Sequence, residues 1–249
     1  MSRRARWIGG INPVEAAVAH GAGRVRRMWV DRARDDERLR ALVGQAEAAG
    51  IAIERVTQKA LARHLPDTRH QGVAAEVFDR EALGEAALLE HVDGLDHAPL
   101  LVALDGVQDP HNLGACIRSA EAAGADALVI PRDRAARLTP AVERTAAGAV
   151  QWLPVAAVNN LGGTLDRLRE RGLWVVGTAG DAPTGLHETD LRGPLALVLG
   201  SEDKGLRPGV RDRCDALVHI PLAGHTESLN VSVAAGVCLF EAVRQRGGK

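Results

Sequence analysis

From residue 99 onward the apolar residues come in short unbroken runs rather than in alternation, at 100–104, 126–130, 173–178, 194–199 and 216–220, with a weaker run at 153–158. Segments of helical spacing separate most of them, at 112–123, 140–147, 161–171, 207–213 and 230–245. Strands that are apolar on both faces and alternate with helices predict an α/β fold with a parallel sheet covered on both sides. Ligands of such sheets bind at the carboxyl ends of the strands, so the loops after Leu104, Thr178, Leu199 and Ile220 are the places to look.

The first 78 residues read differently, as short elements of changing type. Residues 12–20 have a helical pattern, with Asn12 as N-cap and Pro13 at the first helical position. A strand is predicted at 25–30, an amphipathic helix at 36–49 ending at Gly50, and strands at 51–56 and 73–78 with a short helix started by Thr57 between them. Residues 79–98 are acidic, lack β-branched runs and end at Pro99, which predicts a partly helical linker. The expected division is a small α/β unit over 1–78, a linker over 79–98 and a larger domain over 99–249.

Charge narrows the choice of partner. The 31 Lys+Arg nearly balance the 32 Asp+Glu, which argues against a polycation that holds nucleic acid by bulk attraction. Two Phe, four Trp and no Tyr argue against an aromatic base-stacking platform of the RRM or OB type. The balance is uneven along the chain, however. Residues 1–34 carry eight Arg, among them Arg3, Arg4, Arg6, Arg24, Arg26 and Arg27, against only Glu15 and Asp31. Arginine suits bidentate phosphate contact, so these six are candidate RNA-backbone contacts; a solvated face offset by Asp35, Asp36 and Glu37 is the plainer alternative.

No apolar stretch approaches the roughly 18 residues of a membrane span, and no apolar segment follows the Met-Ser-Arg-Arg start, so neither membrane insertion nor a signal peptide is expected. Cys116, Cys214 and Cys238 are odd in number and lack C-x-x-C spacing, which fits a reducing, cytoplasmic setting. The nine His form no metal-ligand spacing, so no metal is expected.

Three loops carry the polar residues. In 104–124 (LDGVQDPHNLGACIRSAEAAG) a strand gives way to a helix holding Asn112 and Arg118, which could also be a cap and a partner of Glu121. In 197–206 (LVLGSEDKGL) a buried strand runs into Gly200, where the missing side chain lets a ligand approach the backbone, followed by Glu202. In 220–243 a strand ends at Ile220 and a polar loop leads through Ser228, Leu229 and Asn230 into a long helix of small residues. None contains G-x-G-x-x-G or a Walker loop, which disfavours dehydrogenases and P-loop NTPases.

In order and spacing, these three blocks resemble the motifs of the SpoU/TrmH (SPOUT) family of RNA ribose 2′-O-methyltransferases over 99–249. GINPVEAAVAHG, the Arg-rich strand region and RHQGVAAEV at 69–77 resemble the L30e-like substrate-binding domain fused to many members. The resemblance implies a trefoil knot in the second domain, bound S-adenosylmethionine, a homodimer, and methylation of a guanosine ribose in the peptidyl-transferase P loop of 23S rRNA. It places the catalytic residues at Asn112, Arg118, Glu202, Ser228 and Asn230, and cofactor contacts at Gly200, Ile220, Leu229 and Thr178. Asp203 departs from the glycine common in the family and puts the local turn in question. The rival readings are another rRNA or tRNA nucleotide as substrate, and a non-catalytic RNA-binding protein of ribosome assembly.

Overall fold

The protein is described by a computed structural model covering residues 5–19, 25–66, 68–78, 82–133, 135, 138–201 and 204–247. Arg3, Arg4, Arg24, Glu202 and Asp203 lie outside the described residues. The chain separates into two compact units, Met1–Glu81 and Ala82–Lys249.

The first unit runs β1 (Ala5–Gly9), α1 (Ile11–Ala19), β2 (Val25–Asp31), α2 (Glu37–Ala48), β3 (Ala52–Val56), α3 (Gln58–His64) and β4 (Val73–Phe78). Its sheet has the order β1-β4-β2-β3, with β4 antiparallel to both neighbours and β2 parallel to β3. Alternate strand residues face opposite ways. Met28, Val30, Val73, Ala75 and Val77 pack with Val14, Val18, Leu39 and Leu42 of α1 and α2. Trp29, Val56 and Ala74 point to the other face, where, among the described residues, Leu61 and Leu65, on and just after α3, are the buried residues that cover them. Thr57 caps α3 where the sequence predicts its start, accepting from the Ala60 amide at 3.2 Å, and Asp36, expected as the first residue of its helix, caps α2 by accepting from the Leu39 amide at 3.1 Å. Asn12 does not cap α1. The helix already begins at Ile11, after Gly10 in a left-handed conformation, and the Asn12 side chain accepts from Arg38 instead.

The second unit contains α4 (Glu85–Asp93), β5 (Leu100–Asp105), α5 (Pro110–Ala122), β6 (Ala127–Pro131), α6 (Pro140–Thr145), β7 (Val155–Val158) and α7 (Leu161–Arg169). It continues with β8 (Trp174–Thr178), β9 (Thr184–Gly185), β10 (Leu195–Gly200), α8 (Pro208–Arg211), β11 (Ala216–His219) and α9 (Val231–Gln245). All seven strands are parallel, in the order β7-β6-β5-β10-β8-β11-β9. Both faces are buried. Leu100, Val102 and Leu104 pack under α5 and α9, while Leu101 and Ala103 pack under α4 and α7. β10 inserts between β5 and β8, so Gly200 sits beside Asp105 at the centre of the carboxyl edge.

The stretch expected as a linker contributes to this unit. Leu88, Leu89 and Val92 form an apolar stripe that joins the core with Leu161, Leu165 and Leu168, and Glu85 accepts from Thr164 Oγ1 at 2.7 Å and Arg167 Nη1 at 2.6 Å. The acidic outer face of α4 hides that stripe from a reading by composition.

Candidate active site

At the carboxyl edge of the large sheet, the loops after β8, β10 and β11 enclose a cavity of about 240 Å³. It is lined by residues 178–180, 199–201, 218–220 and 227–229, with Val231 and Ala234 of α9 as its apolar floor. Thr178, Gly200, Ile220, Leu229 and Ser228, singled out in the sequence, therefore converge on one space although fifty residues separate the first from the last. The lining is drawn from strand ends and the loops that follow them, mostly apolar residues and glycines, where backbone groups beyond the last strand bonds are available to a ligand.

Gly200 is required by this geometry. A Cβ there would lie 2.1 Å from the Gly205 carbonyl carbon, because the chain turns back on itself through Ser201 and Gly205. The Ser201 and Gly205 amides donate to each other's carbonyls at 3.1 and 2.9 Å, and Gly205 adopts φ +61°. The base of this turn is clamped from outside the cavity. Asp105, whose side chain is fully buried, accepts from the Arg207 amide at 2.8 Å and from Arg207 Nε at 2.7 Å. A buried carboxylate is stable only with such partners, so the pair fixes where the turn leaves the sheet.

A second group of candidates gathers where α5 and α9 begin. Asn230 caps α9, its Oδ1 accepting from the Ser232 amide at 2.9 Å, and its Nδ2 donates to Asn112 Oδ1 at 3.0 Å. Asn112 is not the cap of α5; Asp109 holds that position and accepts from the His111 amide at 2.9 Å, with Pro110 following. Arg118 is exposed on α5 and makes no ion pair with Glu121 or any other described residue. Neither Asn112, Arg118 nor Asn230 lines the cavity. Sequence reasoning missed Ser201, His219, Glu227 and the Asp105–Arg207 clamp. A charged residue closing the otherwise wholly apolar run of β5 was the available signal for the last.

A polar recess of about 450 Å³ lies between residues 131–133, 159–162 and 207–213, but its arginines are engaged: Arg207 by Asp105 and Arg213 Nε by Asp166 at 2.8 Å. In the first unit, Arg26 and Arg27 of β2 both bond Glu76 of β4, at 3.1 and 2.7 Å, and Arg6 lies half-buried on β1. Among the described residues no group of His, Cys, Asp and Glu could hold a metal ion, and no helix is long and apolar enough to cross a membrane.

A parallel sheet whose strand-end loops enclose a backbone-lined cavity, beside polar residues at two helix starts and with no dinucleotide glycine turn, defines an α/β enzyme of the small-molecule-binding kind. The chain belongs to the SpoU rRNA Methylase family, whose model matches residues 99–240; a second model, RNA 2′-O ribose methyltransferase substrate binding, matches residues 7–83. A relative from Pseudomonas syringae pv. tomato named 23S rRNA (guanosine-2′-O-)-methyltransferase RlmB is 48% identical over 97% of this chain and 96% of its own. The SpoU methyltransferase AviRb from Streptomyces viridochromogenes, solved in complex with the cofactor AdoMet, superposes with a TM-score of 0.79 at 29% identity, covering 97% of this chain and 90% of the other. The A. aeolicus TrmH/SpoU tRNA modifying enzyme covers 65% of this chain and 82% of its own at 30% identity, with a TM-score of 0.55.

Proposed function

We propose that the protein transfers the methyl group of S-adenosylmethionine to the ribose 2′-hydroxyl of a guanosine in 23S rRNA. The observation that carries this reading is the convergence of Thr178, Gly200, Ile220 and Leu229 on one strand-end cavity in a chain 48% identical, end to end, to a relative named for that reaction. The cavity fits the cofactor: it is mostly apolar, its strand-end backbone offers donors and acceptors, and the space a Cβ at Gly200 would fill belongs to the turn. Thr178, Gly200, Ile220 and Leu229 are assigned to hold it.

When bound, S-adenosylmethionine supplies an electrophilic methyl on a sulfonium leaving group. The chain's part is to bring the 2′-oxygen into line and exclude water. Arg118 keeps its proton, so its assigned role is electrostatic: it clamps a substrate phosphate and polarises the 2′-oxygen. The Asn112–Asn230 bond sets two amides against the ribose, Ser228 faces the same cavity, and Glu202 follows the Gly200–Ser201 turn. Val233 and Phe240, seven residues apart on α9 and each 51% exposed, support a homodimer through that helix, with an active site completed across it. The insertion of β10 between β5 and β8 is compatible with the family's trefoil knot. In this reading residues 1–81 recruit the RNA and the reaction takes place in the cytoplasm.

The test is transfer of labelled methyl onto unmodified 23S rRNA followed by mapping of the modified nucleotide. One guanosine 2′-O-methyl is expected. Arg118→Ala should lower transfer by about 100-fold or more while S-adenosylmethionine affinity stays within about twofold. Labelling of tRNA instead, or equal losses of affinity and transfer, would contradict the assignment.

A further inference from the structure

The first unit leaves one sheet face thinly covered, and its aromatic residues are concentrated there. Trp7 of β1 and Trp29 of β2 meet across β4, their ring centroids 4.3 Å apart. They can do so because the strand between them presents Ala74 opposite Trp29 and Gly9. His64, exposed in the last turn of α3, stands edge-on to both rings at 5.5 and 4.6 Å. The Arg27 guanidinium lies over both indoles at 5.4 and 5.6 Å and is itself fixed by Glu76 at 2.7 Å. Glu54 accepts from Trp29 Nε1 at 2.8 Å and locks the inner ring.

The cluster is graded from inside to outside. Trp29 is 9% exposed and belongs to the core, Trp7 is half-buried, and His64 is open to solvent. His64 Nδ1 donates to the Ala60 carbonyl at 3.2 Å, which orients the imidazole against the rings. A core alone would not need a guanidinium stacked on its outer ring, an imidazole at its rim or a buried carboxylate to hold the guanidinium. α3, which brings His64 to the cluster, also carries Lys59 and Arg63 and no acid. Flat π surfaces beside a helix that carries basic residues and no acid complement one ligand chemistry well: an unpaired nucleobase with its flanking phosphates.

We infer that Trp7, His64 and Arg27 form a stacking subsite for an unpaired base of the substrate RNA. The inference rests on the reading of the first unit as the RNA-recruiting domain, and it deepens it. Base recognition would come from the π faces, with Arg27 held in its stack by Glu76, and attraction for the RNA backbone from Lys59 and Arg63 of α3. Duplex RNA, whose bases are stacked on one another, cannot use the site.

The experiment titrates the full-length protein with a single-stranded oligoadenylate of about ten nucleotides and, separately, with an RNA duplex of equal length, following tryptophan emission and anisotropy. Trp7→Ala should weaken single-strand binding by about tenfold and duplex binding by less than about twofold, with Trp7→Phe restoring most of the affinity. His64→Ala, which removes only an exposed ring, should give a smaller loss of the same selectivity. In methyl transfer, the KM for rRNA should rise with kcat unchanged. Unaltered single-strand affinity in both alanine variants would overturn the inference, as would equal losses for the two probes. Reduced self-association of Trp7→Ala at unchanged RNA affinity would assign the face to a second copy of this chain and overturn it too. Failure of the unaltered protein to methylate any RNA would count against the proposed reaction instead, leaving the two-probe comparison intact.

Discussion

The two units bury their sheets to different degrees, and their candidate sites differ accordingly. The seven-stranded sheet is apolar on both faces, so polar chemistry is displaced to its carboxyl edge, where backbone lines a concave cavity. The four-stranded sheet is packed thickly on one face and thinly on the other, and its polar chemistry lies on that second face as side chains: Arg27, Glu76, His64 and two indoles. A cofactor of fixed shape suits a cavity built on fixed strand ends. An RNA surface suits exposed cations and rings, which tolerate variation in position.

The contrast can be broken most severely at Gly200. Gly200→Ala places a methyl against the Gly205 backbone, and we expect about 3 kcal/mol of destabilisation. S-adenosylmethionine binding, measured by calorimetry, should be lost with it, while RNA binding by the first unit survives. The next largest effect is expected at the clamp behind the cavity. Asp105→Ala strips Arg207 of its carboxylate, and because Arg207 is 41% exposed the cost should be about 2 kcal/mol, below the 3–5 kcal/mol of a fully buried pair. Chemical denaturation would measure it, with cofactor affinity falling in parallel.

The smallest effect separates the units by pH. The Arg244 guanidinium, with Gln245, holds the Glu241 carboxyl down at about 2, against an ordinary value of 4.5. A depressed carboxyl stabilises the folded chain above the unfolded value, and that contribution fades as pH falls from about 4.5 through about 2. Acid should therefore loosen the α9 end of the second unit. Variants retaining only Trp152 and Trp174, or only Trp7 and Trp29, would report on each unit separately, and equal sensitivity in both would contradict the expectation.

Much of the second unit was legible because its signals are local. Unbroken apolar runs announced buried parallel strands, and the loops that followed them held the cavity residues. What stayed hidden depends on contacts distant in sequence. The Asn112–Asn230 bond joins residues 118 apart, and it ties Asn112, which the sequence offers as a cap, to the residue that caps α9. The packing role of α4 was concealed because its buried stripe is short and Glu85, Glu90 and Asp93 dominate the rest of it. β1 escaped because Ala5–Gly9 is brief and contains an arginine. The aromatic cluster was invisible in the composition, whose four Trp, two Phe and absent Tyr argue against a platform of the RRM or OB type. A count cannot register that two of them meet over Ala74, a neighbourhood set by the strand order β1-β4-β2. Likewise the arginines at 26 and 27 read as free cations until Glu76, fifty residues on, is placed beside them.

The central claim is that the second unit holds the cofactor and the first holds the RNA. Removing residues 1–81, the boundary set by the fold rather than by the acidic stretch, and titrating the remaining chain with S-adenosylmethionine and with unmodified 23S rRNA tests it most directly. The account predicts cofactor affinity within about twofold of the full chain and RNA affinity lower by at least about tenfold. Lost cofactor affinity in a fragment that still shows native circular dichroism, or undiminished RNA affinity, would contradict it.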